Sequence, residues 1–271
     1  MIPPHMRQSG QRIWGLMYRH LALYRRSWPR ILELMYWPVL QMCIWGFTAS
    51  FLTSHLGDAA AMAGAALLGG VLLWEITLRS QMGVTISFLE EMWSRNLGHV
   101  FVSPLRPWEM VVALIAMSMF RLVIALIPAI GMAWVFYEFN LFMLGVPLIL
   151  FFINLMIMGW SVALGIVSLL LRHGAGAEPF AWGVLFGLAP FSAVFYPVSV
   201  MPMIMQYVSM LLPSTHVFEG MRAILLDGTV PWSELMAAVA MNVVWLGGAI
   251  VLFGRQFHEA RVRGALLNVG E

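Results

Sequence analysis

"FLEEMWSRNLGHVFVSPLRPWE" occupies residues 88–109, and five of its 22 residues carry charge: Glu90, Glu91, Arg95, Arg106 and Glu109. The chain around it is 61% hydrophobic and only 10% charged. Two long apolar runs flank the stretch, 59–79 on one side and 108–137 on the other. Bilayer hydrocarbon is roughly 30 Å thick and an α-helix rises about 1.5 Å per residue, so a run of about 20 apolar residues is long enough to cross. The stretch therefore reads as a polar turn between two membrane spans. What its five charges face is the question it poses.

Working outward by the same criterion, the chain predicts six spans, at 34–53, 59–79 with a possible extension to 88, 108–137, 144–171, 179–200 and 235–254. Seventeen Phe, 12 Trp and 22 Met, at a mean hydropathy of +0.84, cannot all be hidden inside a 30.4 kDa soluble globule. Spanning strands would show as short alternating segments of about ten residues, whereas these runs are long and unbroken. The expected fold class is an all-α integral membrane protein. The first apolar run is long enough to span and no signal peptide is evident ahead of it. The single cysteine, Cys43, excludes an internal disulfide and any multi-cysteine metal site.

All 15 basic residues are Arg. Because cytoplasmic loops are enriched in Lys and Arg, placing the N-terminus inside puts 13 of them on that side: six between Arg7 and Arg30, then Arg79, Arg95, Arg106, Arg172, Arg255, Arg261 and Arg263. Arg222 falls outside and Arg121 lies within the third span. Both termini and the opening stretch are then cytoplasmic. This divides the chain into an N-terminal region 1–30, a six-span body 31–254 and a tail 255–271.

Residues 7–28, "RQSGQRIWGLMYRHLALYRRSW", place Ile13, Met17, Leu21, Tyr24 and Trp28 on one helical face, with Gln8, Arg12, Arg19 and Arg26 on the other. That pattern predicts an interfacial amphipathic helix, the alternative being a basic tail that only sets orientation. The one sizeable outward region lies between the fifth and sixth spans. Pro197, Pro202 and Pro213 interrupt helix there, leaving two short elements over about 201–228. The second, about 215–226, pairs Glu219 with Arg222 at i,i+3 and stops at Asp227-Gly228, a C-terminal cap. It is too short to span, so it is expected as a re-entrant or interfacial helix carrying His216, Glu219 and Arg222.

Polar groups within the spans are few: Glu33, Glu75, Arg121 and Asn154. If the second span stays helical to Phe88, Glu75 and Arg121 lie at matching depth and can pair. If it ends at Arg79, their depths differ by about 15 Å and they cannot. No catalytic constellation appears, and His216 with Glu219 falls short of a metal site. A P-loop needs G-x-x-x-x-G-K-[ST], and the chain contains no Lys, so it carries no conventional ATPase site.

The order of a basic amphipathic N-terminus, two spans, the cytoplasmic "SFLEEMWSRNLGHVFVSPLRPWE", three spans, the outward "FYPVSVMPMIMQYVSMLLPSTHVFEGMRAILLDG" and a last span resembles the permease subunits of ABC-2 type exporters. The resemblance covers nearly the whole chain. It implies a permease that dimerises, here as a homodimer, in the bacterial inner membrane, with two copies of a separate ABC ATP-binding subunit. Those subunits would bind ATP and Mg, while this chain would bind no cofactor, metal or nucleic acid. It further implies that "FLEEMWSRNL", within a coupling helix at about 86–98, docks into a groove on the ATPase through Phe88, Leu89, Glu90, Glu91, Trp93 and Arg95. The alternative for this stretch is a solvated loop with a capped turn.

By the same resemblance the path is lined by the first, second and fifth spans, and Tyr36, Trp37, Phe191, Phe195 and Tyr196 are its candidate aromatics. Aromatics also enrich at membrane interfaces without touching cargo. Relatives export drugs, lipid-linked polysaccharides and other amphiphiles. Two readings from other classes stand beside this one. An ion-coupled secondary transporter would need coupling-ion sites near the midplane. A membrane enzyme acting on lipid precursors would need a polar constellation at the interface.

Overall fold

The computed structural model describes residues 4–263. Among them it contains ten α-helices and no strand. These are α1 (Pro4–Arg26), α2 (Trp28–Leu56), α3 (Asp58–Trp93), α4 (Leu97–Val102), α5 (Pro107–Tyr137), α6 (Pro147–His173), α7 (Glu178–Leu188), α8 (Met203–Ser209), α9 (Pro213–Asp227) and α10 (Trp232–Val262).

Four stretches are long and apolar enough to cross a membrane: Met62–Trp93, Pro107–Tyr137, Pro147–Phe191 and Trp232–Val262. The third holds two helices, because Gly174–Ala177 turns the chain from α6 into α7. Helix α7 then runs antiparallel to α3, since Glu178 meets Trp93 while Ala181 meets Gln81 nearer the middle of α3. At 29 residues α2 is long enough to cross. It is not among the four whose hydropathy marks them as spans, and its core carries Trp, Tyr, Gln, Ser and Thr.

Helix α3 is the central rod, packed against α2, α5 and α6. It stays helical for 36 residues because no proline interrupts 58–93. The second span thus takes the longer of its two predicted forms, and its last turns are the polar stretch itself. The stretch 86–98 is not a separate helix: its first part is the end of α3, and a turn through Ser94–Asn96 leads into the six-residue α4.

The expected fifth span over 179–200 is interrupted. Helix α7 stops at Leu188 after 11 residues, and the chain continues through short 3-10 turns and bends to Val200. Pro190 and Pro197 account for the break, each lacking a backbone N–H and clashing with the preceding turn. Beyond this break, α8 and α9 are two short helices, and Gly228 closes α9 in the left-handed conformation (φ 67°) that glycine adopts without steric cost. Helix α10 is tied to α6 inside the apolar layer by Asn242, whose amide donates to the Asn154 side chain at 2.8 Å and to its carbonyl at 3.0 Å.

Candidate functional site

At the C-terminal end of α3 the carboxylates turn inward. Glu90 accepts from Arg121 on α5 at 2.9 Å and from Arg30 on α2 at 3.2 Å. Glu91 accepts from Arg19 on α1 and from Asn96, both at 2.7 Å. His20, itself buried, sits between the two carboxylates, with Nδ1 3.2 Å from Glu90 and Nε2 3.4 Å from Glu91. A second clamp joins Arg12 to the buried Glu109 through two bonds, Nε to Oε2 at 2.9 Å and Nη2 to Oε1 at 2.7 Å. The side-chain bond to Glu109 raises the Arg12 guanidinium above its already high ordinary pKa. Planar two-bond pairing of this kind fixes orientation as well as charge.

Helix α1 draws part of its predicted polar face inward: Ser9, Arg12 and His20 pack with Tyr24 against the protein, while Arg19 reaches Glu91 with its side chain still 42% exposed and Trp14 and Tyr18 stay exposed. The reason is that Glu90, Glu91 and Glu109 would otherwise be desolvated without a counter-charge. The docking set is corrected for the same reason. Phe88, Leu89 and Glu91 are buried in this chain's own core, and Glu90 is held by Arg121, Arg30 and His20. Trp93 and Arg95 are the members of that set left exposed, Arg95 with a left-handed backbone (φ 53°) that ends α3. Beside them His99, Val102, Arg106 and Trp108 are also exposed, completing a surface that the sequence reading did not single out.

The expected pair of Glu75 and Arg121 does not form. Glu75 takes Arg79, one turn along α3, at 3.0 Å, and Arg121 takes Glu90. Depth counted from Trp108 misled, because α5 and α3 do not end level. Helix α1 runs beside the first turns of α5, from Arg12 against Glu109 to Tyr24 against Phe120, so Arg121 reaches only the end of α3. Its guanidinium also lies over the Tyr24 ring, 5.2 Å from the centroid.

Above this level two cavities follow α3. The inner one, about 290 Å³, is lined by Gln41 and Trp45 of α2, by Val71, Trp74, Glu75 and Leu78 of α3, and by Phe186, Ala189, Pro190, Phe195 and Tyr196. The outer one, about 540 Å³, lies between the outer half of α3, residues 194–197 and α9, whose Glu219, Arg222 and Asp227 face it. Phe195 belongs to both walls, stacked on Trp45 with ring centroids 4.8 Å apart. Of the candidate aromatics, Phe195 and Tyr196 are brought to the inner cavity. Tyr36 and Trp37 pack edge-to-face on the exposed side of α2, and Phe191 lines neither cavity. Trp45, Trp74 and Phe186 were missed; the Gln41 and Trp45 spacing of one turn, and Trp74 beside Glu75, were the available signals.

The irregular segment between α7 and α8 is held from α9. Arg222 donates through Nη2 to the carbonyls of Ala193, Val194 and Tyr196, and through Nη1 to Glu219 at 3.1 Å. Glu219 in turn accepts the backbone N–H of Val198 at 2.8 Å. Burial pulls the Arg222 pKa down and the Glu219 charge opposes that. Non-helical backbone among spans needs its polar groups satisfied by protein, and this i,i+3 pair supplies that. Gly70 on α3 lets the segment approach, since a Cβ there would stand 2.6 Å from the Val194 carbonyl oxygen. His216 points elsewhere, 2.7 Å from Glu234 and 3.0 Å from the Met210 carbonyl oxygen. Among the described residues no group of three or more His, Cys, Asp or Glu could hold a metal.

Helices long and apolar enough to cross a membrane make this a multi-pass helical membrane protein. A family model described as ABC-2 type transporter matches residues 11–226, from within α1 almost to the end of α9. The chain belongs to the ABC-2 type transporter family: it is the membrane-spanning permease component of an ABC transporter, a family role that implies an ABC ATP-binding subunit as partner. No curated protein matches it.

Proposed function

We propose that the chain is the permease of an ATP-driven exporter that moves an amphiphilic molecule, lipid-linked, polysaccharide-type or drug-like, out of the cytoplasm. Six passes are formed by α2, α3, α5, α6, α7 with its interrupted continuation to 200, and α10. Two copies work as a homodimer with two ATP-binding subunits in the bacterial cytoplasmic membrane, and both termini are cytoplasmic. The observation that carries this reading is the pair of cavities stacked along α3, with Phe195 in both walls and the segment that Arg222 holds between them. A path of that kind needs no chemistry from this chain. Energy comes from the partner, which supplies the ATP and Mg site.

The ATP-binding subunit docks on the exposed surface around Trp93, Arg95, His99 and Arg106. Glu90 and Glu91 act behind it, fixing α1, α2 and α5 to the end of α3, while Trp93 also donates to Glu178 at 3.3 Å. Movement of the docking surface therefore reaches α7, the helix that leads to Phe195. The test is affinity purification of the tagged chain from its own membranes in mild detergent. A stoichiometric Walker-motif ATPase should accompany it and be lost on Trp93→Ala with Arg95→Glu, the variant chain remaining monodisperse. Retention of the ATPase by that variant refutes this docking surface, and a chain that purifies with no ATPase refutes the exporter reading.

A further inference from the structure

Glu75 is the least explained group in the membrane layer. It is about 20 Å along α3 from Met62, deep in the apolar region, and its side chain is 4% exposed. A carboxylate there is costly, and such groups persist where they face a cavity or a partner. Arg79 holds only one of its oxygens, Oε2, at 3.0 Å; Oε1 accepts no hydrogen bond from any described residue. Glu75 lines the inner cavity, and among the described residues no cationic side chain lines it with Glu75.

The rest of that wall is mostly apolar and rich in aromatic rings. The Trp45 N–H is committed to Gln41 at 3.1 Å, and the Tyr196 hydroxyl donates to the Pro190 carbonyl at 2.8 Å. With those two polar ends occupied, what Trp45, Tyr196 and Phe195 offer a guest is ring surface, and Trp74 adds its ring and one indole N–H. Ring faces carry negative quadrupole charge and attract ammonium groups, best when desolvated. Sugars and anions find little comparable: apart from Glu75, the polar side-chain groups on this wall are Gln41, the Trp74 indole N–H and the committed Trp45 and Tyr196. The outer cavity has the same sign, since Glu219 and Asp227 stand against Arg222 alone, a net of one negative charge.

We propose that the inner cavity binds the cationic end of the transported molecule, an amine or quaternary ammonium carried on an apolar body, with Glu75 as counter-charge and the aromatic wall as its cage. This deepens the exporter reading and rests on it for the word "transported"; the binding site itself does not. The cavity suits a head group, not a whole amphiphile, and the rest of the molecule would extend past Phe195 or between the helices.

The test uses the full-length chain in lipid nanodiscs and two probes of equal shape: benzyltrimethylammonium and its neutral isostere neopentylbenzene, in which carbon replaces the nitrogen. The cation should bind at least about tenfold more tightly than the isostere, equivalent to about 1.4 kcal/mol. Glu75→Gln should abolish that preference and leave isostere binding unchanged; Glu75→Asp should retain part of it. Arg79→Gln provides the opposite sign, because freeing Glu75 should tighten cation binding several-fold, whereas a purely structural Glu75–Arg79 pair predicts loss. Equal binding of the two probes, a Glu75→Gln chain that still prefers the cation, or weaker cation binding by Arg79→Gln overturns the proposal. ATP-dependent movement of the cation by vesicles containing the ATPase partner tests the exporter reading separately. Glu75-dependent binding without ATP-driven movement would sink that reading and leave the site standing; ATP-driven export indifferent to Glu75→Gln would do the reverse.

Discussion

Glu90→Gln is the most informative single change, because it keeps the size of the side chain and removes only its charge. Arg121 has a side chain that is 3% exposed, and among the described residues Glu90 is its one carboxylate partner. Removing one member of a buried pair typically costs about 3–5 kcal/mol, since the other is left desolvated and uncompensated. Glu90 is itself 16% exposed, so water can relax toward the gap and the lower end, about 3 kcal/mol, is expected. That corresponds to a fall of about 6–9 °C in the melting temperature of a chain this size, read by fluorescence-detected unfolding in mild detergent. Arg121→Met should cost less, about 1–2 kcal/mol, because Glu90 keeps Arg30 and His20. The double variant should be more stable than Glu90→Gln alone, since no charge is then stranded. Additive losses in the double variant, or a Glu90→Gln chain melting within about 2 °C of wild type, would refute the view that Glu90 exists to hold a buried guanidinium.

Arg222→Lys should loosen residues 193–198, because one ammonium cannot serve three carbonyls and Glu219 together; a loss of about 2 kcal/mol is expected, with faster amide exchange confined to that segment. Unchanged exchange there would remove the clamp from the account. Gly70→Ala forces the Val194 carbonyl away from α3 and should destabilise by about 1–3 kcal/mol; a chain that melts like wild type would mean that the segment yields freely. Arg12→Gln should release α1 from α5 and speed trypsin cleavage at Arg19 and Arg25, and an unaltered cleavage rate would show that Glu91 alone suffices to hold the helix.

The apolar runs of 108–137, 144–171 and 235–254 were legible as helices because length and hydropathy alone decide them. Pro197, Pro202, Pro213 and the Asp227-Gly228 cap marked out the two short outer helices for equally local reasons. The i,i+3 pair of Glu219 and Arg222 was legible too, but its task was not: three of the Arg222 contacts go to carbonyls 26 to 29 residues away. Pro190 was visible in the fifth run and was read through. A run of apolar residues looks the same whether its backbone is helical or is irregular and satisfied from elsewhere.

The polar stretch at 88–109 shows why the rest was hidden. In water, exposed charge is the default, so Glu90, Glu91 and Arg95 on a cytoplasmic turn suggest a surface offered to a partner. At a membrane boundary the default fails, because α1 can lie over the turn and bring Arg12, Arg19 and His20 to carboxylates 70 to 97 residues away. The apolar stripe of α1 was correctly periodic, and its Ile13, Met17, Leu21 and Tyr24 are half-buried or buried, yet it gave no sign that Arg12 from the opposite face would be drawn in as well. Lipid accepts Trp14 and Tyr18 as readily as a protein core would, so apolarity no longer distinguishes inside from outside. What orients helices in such a chain is where their few polar atoms find partners. For Glu90 and Arg121, Glu75 and Arg79, and Asn154 and Asn242 those partners depend on relative helix heights, which an unfolded string of residues does not contain.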